Sequence, residues 1–223
     1  MRSRSRGLGF EKAQGRSAEG LYNRWILPQV IELTMRQKNF EPFRERTAGA
    51  AHGRVLEIGI GSGLNLASYH PDIETVCGVD PSAELLAKAG ERAEKVRFPV
   101  RLLEASSEKL PLEDKSFDTV LMTFTLCSIP DTGAALLEIR RVLKPEGELL
   151  FAEHGRAPDS DVMHWQDRIT PIWKRIGGGC HLNRKVEDLI QAAGFRLERL
   201  SSGYQKFAPR PFSFFYEGVA RPV

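Results

Sequence analysis

Residues 57–63 read Glu-Ile-Gly-Ile-Gly-Ser-Gly, and no other segment limits the possible folds as tightly. They follow a short apolar run, RVLEI (54–58), and precede a stretch whose pattern predicts a helix starting near Leu64. Glycine has no Cβ, so Gly59, Gly61 and Gly63 let the backbone reverse sharply and approach a ligand closely. A strand, a glycine turn and a helix form the opening unit of a parallel sheet. A dinucleotide loop needs G-x-G-x-x-G, and Leu64 stands where its last glycine belongs. A G-x-x-x-x-G-K-[ST] phosphate loop is also missing.

Two acids narrow the ligand. Glu57 precedes the loop, where a carboxylate repels a pyrophosphate and attracts an ammonium. Asp80 follows the second apolar run, TVCGV (75–79), 21 residues after Gly59. There a carboxylate can accept both hydroxyls of a ribose. The bland alternative is a tight turn with an incidental acid. The flanking strand and Asp80-Pro81 at this distance favour a nucleoside ligand carrying positive charge, a description that S-adenosylmethionine meets.

Strand and helix patterns alternate from here on. Further strand runs are VRLLEA (100–105), FDTVLMTF (117–124), ELLFAE (148–153), RLERL (196–200) and FSFFYEGVA (212–220). Helical patterns cover 83–96, with Ser82 as cap, 132–143, stopped by Pro145 and Glu146-Gly147, and 184–195, stopped by Gly194. The prediction is an α/β chain with a doubly wound, seven-stranded, mostly parallel sheet and an antiparallel last strand. Residues 155–182 interrupt the rhythm and read as an insertion on the substrate side. Phe212, Phe214, Phe215 and Tyr216, at period two, read as buried on both faces of the sheet rather than lipid-facing.

Charge separates the ends. Residues 1–50 hold ten Lys/Arg against five Asp/Glu, and residues 51–223 hold 22 against 24. The basic excess belongs to an arm rather than to a folded face, which argues against a nucleic-acid partner. We expect a mobile basic arm (1–18), at most a weak peripheral membrane contact, a helical lid (19–50) restarted at Pro28, and the main domain (51–223). No run approaches the roughly 20 apolar residues of a membrane span. Cys77, Cys127 and Cys180 form no disulfide framework, so reduced thiols in a cytoplasm are expected.

VLEIGIGSGLN, VCGVDPS, SSEKLPLEDKSFDTV and RRVLKPEGELLFAE resemble, in order and spacing, the successive motifs of class I S-adenosylmethionine-dependent methyltransferases over residues 54–153. The resemblance implies a Rossmann-like fold, S-adenosylmethionine as cofactor and S-adenosylhomocysteine as product. It places Glu57, Gly59, Ile60, Gly61, Gly63 and Asn65 along the methionine and ribose, and Asp80-Pro81 at the ribose. Ser106 and Ser107 would flank the adenine, and Thr123 and Leu126 would lie near the methyl. Many relatives carry an acid where Ser106 stands, leaving Glu108 or a backbone carbonyl for the adenine amino group.

The later segments resemble a narrower branch, the alkyl-thiol methyltransferases of animals and their bacterial relatives. The shared features are Leu126-Cys127-Ser128, Glu153-His154, Trp165-Gln166 through Trp173, and Gly177 through Arg184. The animal proteins carry a hydrophobic membrane anchor, which does not carry over to this basic arm. The implied reaction is methylation of a small molecule, foremost S-methylation of a thiol. Methylation of a phospholipid amine or a quinone precursor is the alternative, and a non-catalytic cofactor-binding module the second.

A thiol must lose its proton to attack, and a neutral imidazole can take it. His154 and then His181 are the candidate bases. Tyr22, Cys127, Trp165, Trp173 and Cys180 are candidates for the substrate pocket, with ordinary lid packing as the alternative for the tryptophans. Cys180-His181 offers adjacent rather than spaced ligands, so no metal is expected.

Overall fold

The computed structural model describes residues 26–206 and 208–223. The basic arm, the first part of the lid and Tyr22 lie outside the described residues. Seven strands form one sheet: β1 (Arg54–Ile58), β2 (Thr75–Asp80), β3 (Val100–Glu104), β4 (Phe117–Thr123), β5 (Leu143–His154), β6 (Phe195–Tyr204) and β7 (Phe214–Pro222). Their order is β3-β2-β1-β4-β5-β7-β6. The first five are parallel, and β7 runs antiparallel to both its neighbours.

Period-two alternation sends neighbouring residues to opposite faces. Leu56, Ile58, Val120, Met122, Leu149 and Phe151 join one core cluster. Val55, Val76, Leu121, Leu150 and Val219 join the other. A strand covered on both faces needs the continuous apolar runs that the sequence shows. Phe214, Phe215 and Tyr216 are buried as expected, whereas Phe212 lies before β7 in a 3₁₀ turn and is only half-buried.

The helices are α1 (Leu27–Met35), α2 (Glu41–Thr47), α3 (Ala83–Ala93), α4 (Thr132–Val142), α5 (Ser160–Ile176) and α6 (Val186–Ala192). Pro28 sits in the first turn of α1, where its missing N–H costs nothing. Ser82 Oγ accepts from Leu85 N and caps α3, while Asp131 accepts from Ala134 N and caps α4. Gly194, at φ +82°, turns the chain out of α6.

Three expectations change. No α-helix starts at Leu64: Gly61 and Gly63 hold left-handed φ values of +54° and +78°, and only a 3₁₀ turn at Leu66–Ser68 follows. Strand β5 begins at Leu143, directly out of α4, and a register shift absorbs Pro145. The 155–182 insertion is mostly one 17-residue helix, α5, that runs through Pro171. Its buried Val162, Gln166 and Thr170 lie at helical spacing and hold it to the domain.

Candidate active site

The sheet order reverses between β1 and β4, and ligands of such sheets bind beyond the strand carboxyl ends at that point. A cavity of about 340 Å³ lies there. Glu57, Gly59, Ile60, Gly61, Asn65, Asp80, Pro81, Ser106, Ser107 and Thr123 line it, as the sequence motifs imply. Gly63 and Leu126 do not. A Cβ on Gly63 would meet Ala89 Cα at 3.1 Å, so this glycine lets α3 pack against the loop. Leu126 is buried in the hydrophobic core.

Glu57 is fully buried at the end of β1. Its Oε1 accepts from Asn65 Nδ2 at 2.9 Å and its Oε2 from Tyr69 Oη at 2.7 Å. Burial pushes its carboxyl up to about 7, against the pull of those two hydrogen bonds and of Arg44. Asn65 Nδ2 also donates to Thr123 Oγ1 at 2.8 Å, and Asn65 Oδ1 is buried without a hydrogen-bond partner. An acceptor left over beside a buried carboxylate matches an ammonium ligand. Gly61, where an added Cβ would meet nothing closer than 3.9 Å, leaves the loop open on the cavity side. The residues present therefore fit the amino-acid end of S-adenosylmethionine.

Asp80 ties the two loops together. Its Oδ2 accepts from Gly61 N at 2.9 Å and its Oδ1 from Ser82 N at 2.8 Å. Burial raises its pKa despite both bonds. Each oxygen keeps a lone pair for a ribose hydroxyl. Glu108 does not line the cavity: it accepts from Ser106 Oγ and from Asp131 N, which leaves the adenine side to backbone groups and the two serines.

The N-terminal segment closes the opposite wall. Leu27, Pro28, Ile31, Glu32 and Met35 of α1, with Arg44 of α2, line the cavity. Arg44 is buried, donates to the Met35 carbonyl and lies about 6 Å from the rings of Phe40 and Phe124. Phe40, Phe43, Phe124 and Phe215 pack ring to ring, fixing this segment to β4 and β7. Phe124 adopts φ +56°, a costly conformation for a bulky residue that turns the chain sharply after β4. Sequence reasoning missed Tyr69, Arg44 and Phe124. Nothing local separates Arg44 from its exposed neighbour Arg46, and a strained φ leaves no composition signal.

Among the described residues, the expected catalytic residues His154 and His181 and the expected substrate residues Cys127, Trp165, Trp173 and Cys180 stand outside this cavity lining. His154 Nε2 lies 3.3 Å from Cys180 Sγ, and Trp173 Nε1 donates to the same sulfur at 3.2 Å. The Cys127 sulfur completes a group of three ligand-type atoms within 4.8 Å of one another. Its hydrogen bond from Cys180 and the nearby His154 hold the Cys127 thiol well below its usual range, and the Cys180 thiol is pushed up in return. Burial, the largest single influence, pulls His154 down, but the Cys127 charge, the hydrogen bond to Cys127 and a backbone hydrogen bond together outweigh it, and the net direction is up. His181 Nδ1 lies 3.1 Å from the Cys127 carbonyl, and burial followed by Arg184 lowers its pKa.

Trp165 departs furthest from expectation. It is 55% exposed on α5, about 100° around the helix from its buried neighbour Gln166. Gln166 instead does the organising, accepting from Ala157 N and donating to the Gly155 and Pro211 carbonyls. Trp173 packs on Phe212. Glu153, fully buried, accepts from Thr125 N and Leu126 N through Oε1 and so shapes the loop after β4. Among the described residues, no helix is long and apolar enough to cross a membrane.

Comparison with known proteins agrees with this geometry. A family model described as a methyltransferase domain matches residues 56–151. The thiol S-methyltransferase TMT1B of Rattus norvegicus is 34% identical over 72% of this chain and 65% of its own length. The protein of the same name from Mus musculus is 30% identical over 78% of this chain and 70% of its own. Phosphatidylethanolamine N-methyltransferase of Cereibacter sphaeroides is 34% identical over 60% of this chain and 66% of its own. The match thus spans just under two thirds of the rat protein. The crystal structure of a putative methyltransferase from Bacillus halodurans superposes with a TM-score of 0.66 at 18% identity, covering 84% of this chain and 100% of that one, and supports the fold alone. With the sheet order, the glycine loop and the acid after β2 in place, the chain belongs to the class I S-adenosylmethionine-dependent methyltransferases.

Proposed function

We propose that this methyltransferase acts on a small apolar thiol, forming a thioether. S-adenosylmethionine, when bound, would supply a methyl group on its sulfonium, whose carbon a thiolate would attack in line, the new S–CH3 bond forming as the bond to the sulfonium sulfur breaks and S-adenosylhomocysteine leaves. Asp80 would hold the ribose, Glu57 and Asn65 the ammonium, and Arg44 the carboxylate of the same ligand. Ser106 and Ser107 would flank the adenine. The α1 segment acts as a lid.

The observation that carries the acceptor class is the part of the cavity lining contributed by α1 and the segment after β4. Leu27, Ile31, Met35, Phe124, Ile129 and Pro130 make it apolar. Such a wall binds an alkyl or aryl group and excludes water, which leaves a thiolate poorly solvated and reactive. The thiol S-methyltransferases among the relatives support the same acceptor. Among the described residues no imidazole lines this cavity, and the proposed acceptor is the thiolate already present in solution.

The test is methyl transfer from labelled S-adenosylmethionine to alkyl and aryl thiols, phosphatidylethanolamine vesicles and quinols, assayed in parallel. We expect thioether product, with a rate that follows the thiolate fraction of each thiol as pH rises. Transfer to phosphatidylethanolamine or a quinol alone would overturn the thiol reading. Cofactor binding without transfer to any of them would favour the binding module.

A further inference from the structure

We infer that Cys127, His154 and Cys180 form a binding site for a soft divalent cation, with zinc the ion it fits. The three ligand atoms come from separate parts of the chain: the loop after β4, the end of β5 and the loop after α5. This explains why linear spacing gave no sign of them. The inference is independent of the acceptor that the enzyme methylates.

The geometry is close to that of a zinc site. Bonds of about 2.3 Å to sulfur and 2.0–2.1 Å to nitrogen, at tetrahedral angles, separate the ligand atoms by roughly 3.5–3.8 Å. Here all three atoms lie within 4.8 Å of one another, and Cys180 Sγ to His154 Nε2 is 3.3 Å. Converting this cluster into a coordination shell takes a change of about 1 Å at most in any ligand–ligand separation.

The surroundings match as well. Cys127 is buried, and the other two are partly so. Two thiolates and a neutral imidazole balance a dication, and sulfur ligands select zinc over magnesium or calcium. Trp173 Nε1 already donates to Cys180 Sγ, and Ser128 Oγ lies 3.5 Å from Cys127 Sγ. Such outer hydrogen bonds orient metal-bound thiolates. Three protein ligands leave the fourth position to an exogenous ligand, as in catalytic zinc sites.

The test uses the full chain, reduced and stripped of metal under anaerobic conditions, then titrated with Co²⁺ and competed with Zn²⁺. We expect one equivalent of Co²⁺ with a thiolate-to-cobalt charge-transfer band and tetrahedral visible bands, displaced by one equivalent of Zn²⁺. Cys127→Ser and Cys180→Ser should each weaken that band, and the double variant should abolish it. Trp173→Phe, which leaves all three ligands in place, should weaken zinc binding by about tenfold. Folding of each variant is checked by circular dichroism. A folded, reduced chain that gives no cobalt–thiolate band overturns the site, as does metal uptake unchanged in the double cysteine variant. A Cys127–Cys180 disulfide that forms readily in a chain taking up no metal when reduced would show a redox pair instead. All these readouts are metal binding, so failure of the thiol assay leaves them standing.

Discussion

Glu32, on the helix over the cavity, meets Arg92, on the helix packed under the glycine loop, at 2.6 Å. Arg92 donates with its other terminal nitrogen to the Ser62 carbonyl. One guanidinium therefore joins α1, α3 and the glycine loop that lines the cavity. Glu32 is buried and Arg92 only partly exposed, so water screens this pair less than a surface one.

Breaking that link should loosen the lid before it unfolds the domain. Glu32→Ala and Arg92→Ala should each raise the dissociation constant for S-adenosylmethionine about fivefold, equivalent to about 1 kcal/mol. The double variant should be little worse than the more damaging single one. Calorimetry checks this, and fully additive losses would show that the two residues act separately.

Asp80→Ala should weaken cofactor binding by more than tenfold. It removes the ribose acceptor and frees the N–H groups of Gly61 and Ser82. Asp80→Asn keeps the side-chain shape and one acceptor, so it should fall between the two. Unchanged affinity in Asp80→Ala would take this carboxylate out of the site.

Glu57 links pH to both stability and binding. Its folded value of about 7 lies above the ordinary 4.5, so the folded chain holds this proton more tightly than the unfolded one. That contribution to stability is fully present below about pH 4.5 and lost as pH rises through 7. Above 7 the protein without cofactor carries a buried carboxylate at a cost on the order of 3 kcal/mol. Glu57→Gln should therefore raise the melting temperature at pH 8 and change it little at pH 5. An ammonium ligand favours the ionised form, so cofactor affinity of the wild type should increase through pH 7. A melting difference independent of pH would contradict the assignment.

Glu153 is a separate case of a buried acid with a positioning task. Glu153→Ala leaves the Thr125 and Leu126 N–H groups without their acceptor and should destabilise the domain by about 2–4 kcal/mol. Glu153→Gln keeps an acceptor oxygen and should be much milder. Denaturant titration of the two variants separates loss of the hydrogen bonds from loss of the charge.

The cofactor half of the site was legible because its chemistry sits next to strand ends. Gly59, Glu57 and Asp80 follow β1 and β2 directly, so sequence distance translates into place. The rest of the cavity lining and its support were not. Arg44, Phe124 and Tyr69 acquire their roles through contacts across the chain, and the large aromatic Trp165, chosen for an apolar wall, turns out exposed while its polar neighbour Gln166 takes the buried face of α5. The Cys127–His154–Cys180 group shows the same limit, since 26 residues separate His154 from Cys180 and 27 separate Cys127 from His154. Gly63 was misread in a different way: close packing against Ala89 and close approach to a ligand both select glycine.

The reversal of β7 has a practical consequence. Phe215, near the start of that strand, lies opposite His154 and Ala220 opposite Leu149, so the strand runs toward the end of the sheet away from the cavity. Val223 ends beside Gly194 and Arg140, on that same side. A label on this side of the sheet leaves the cavity mouth unobstructed, which suits assays of ligand entry.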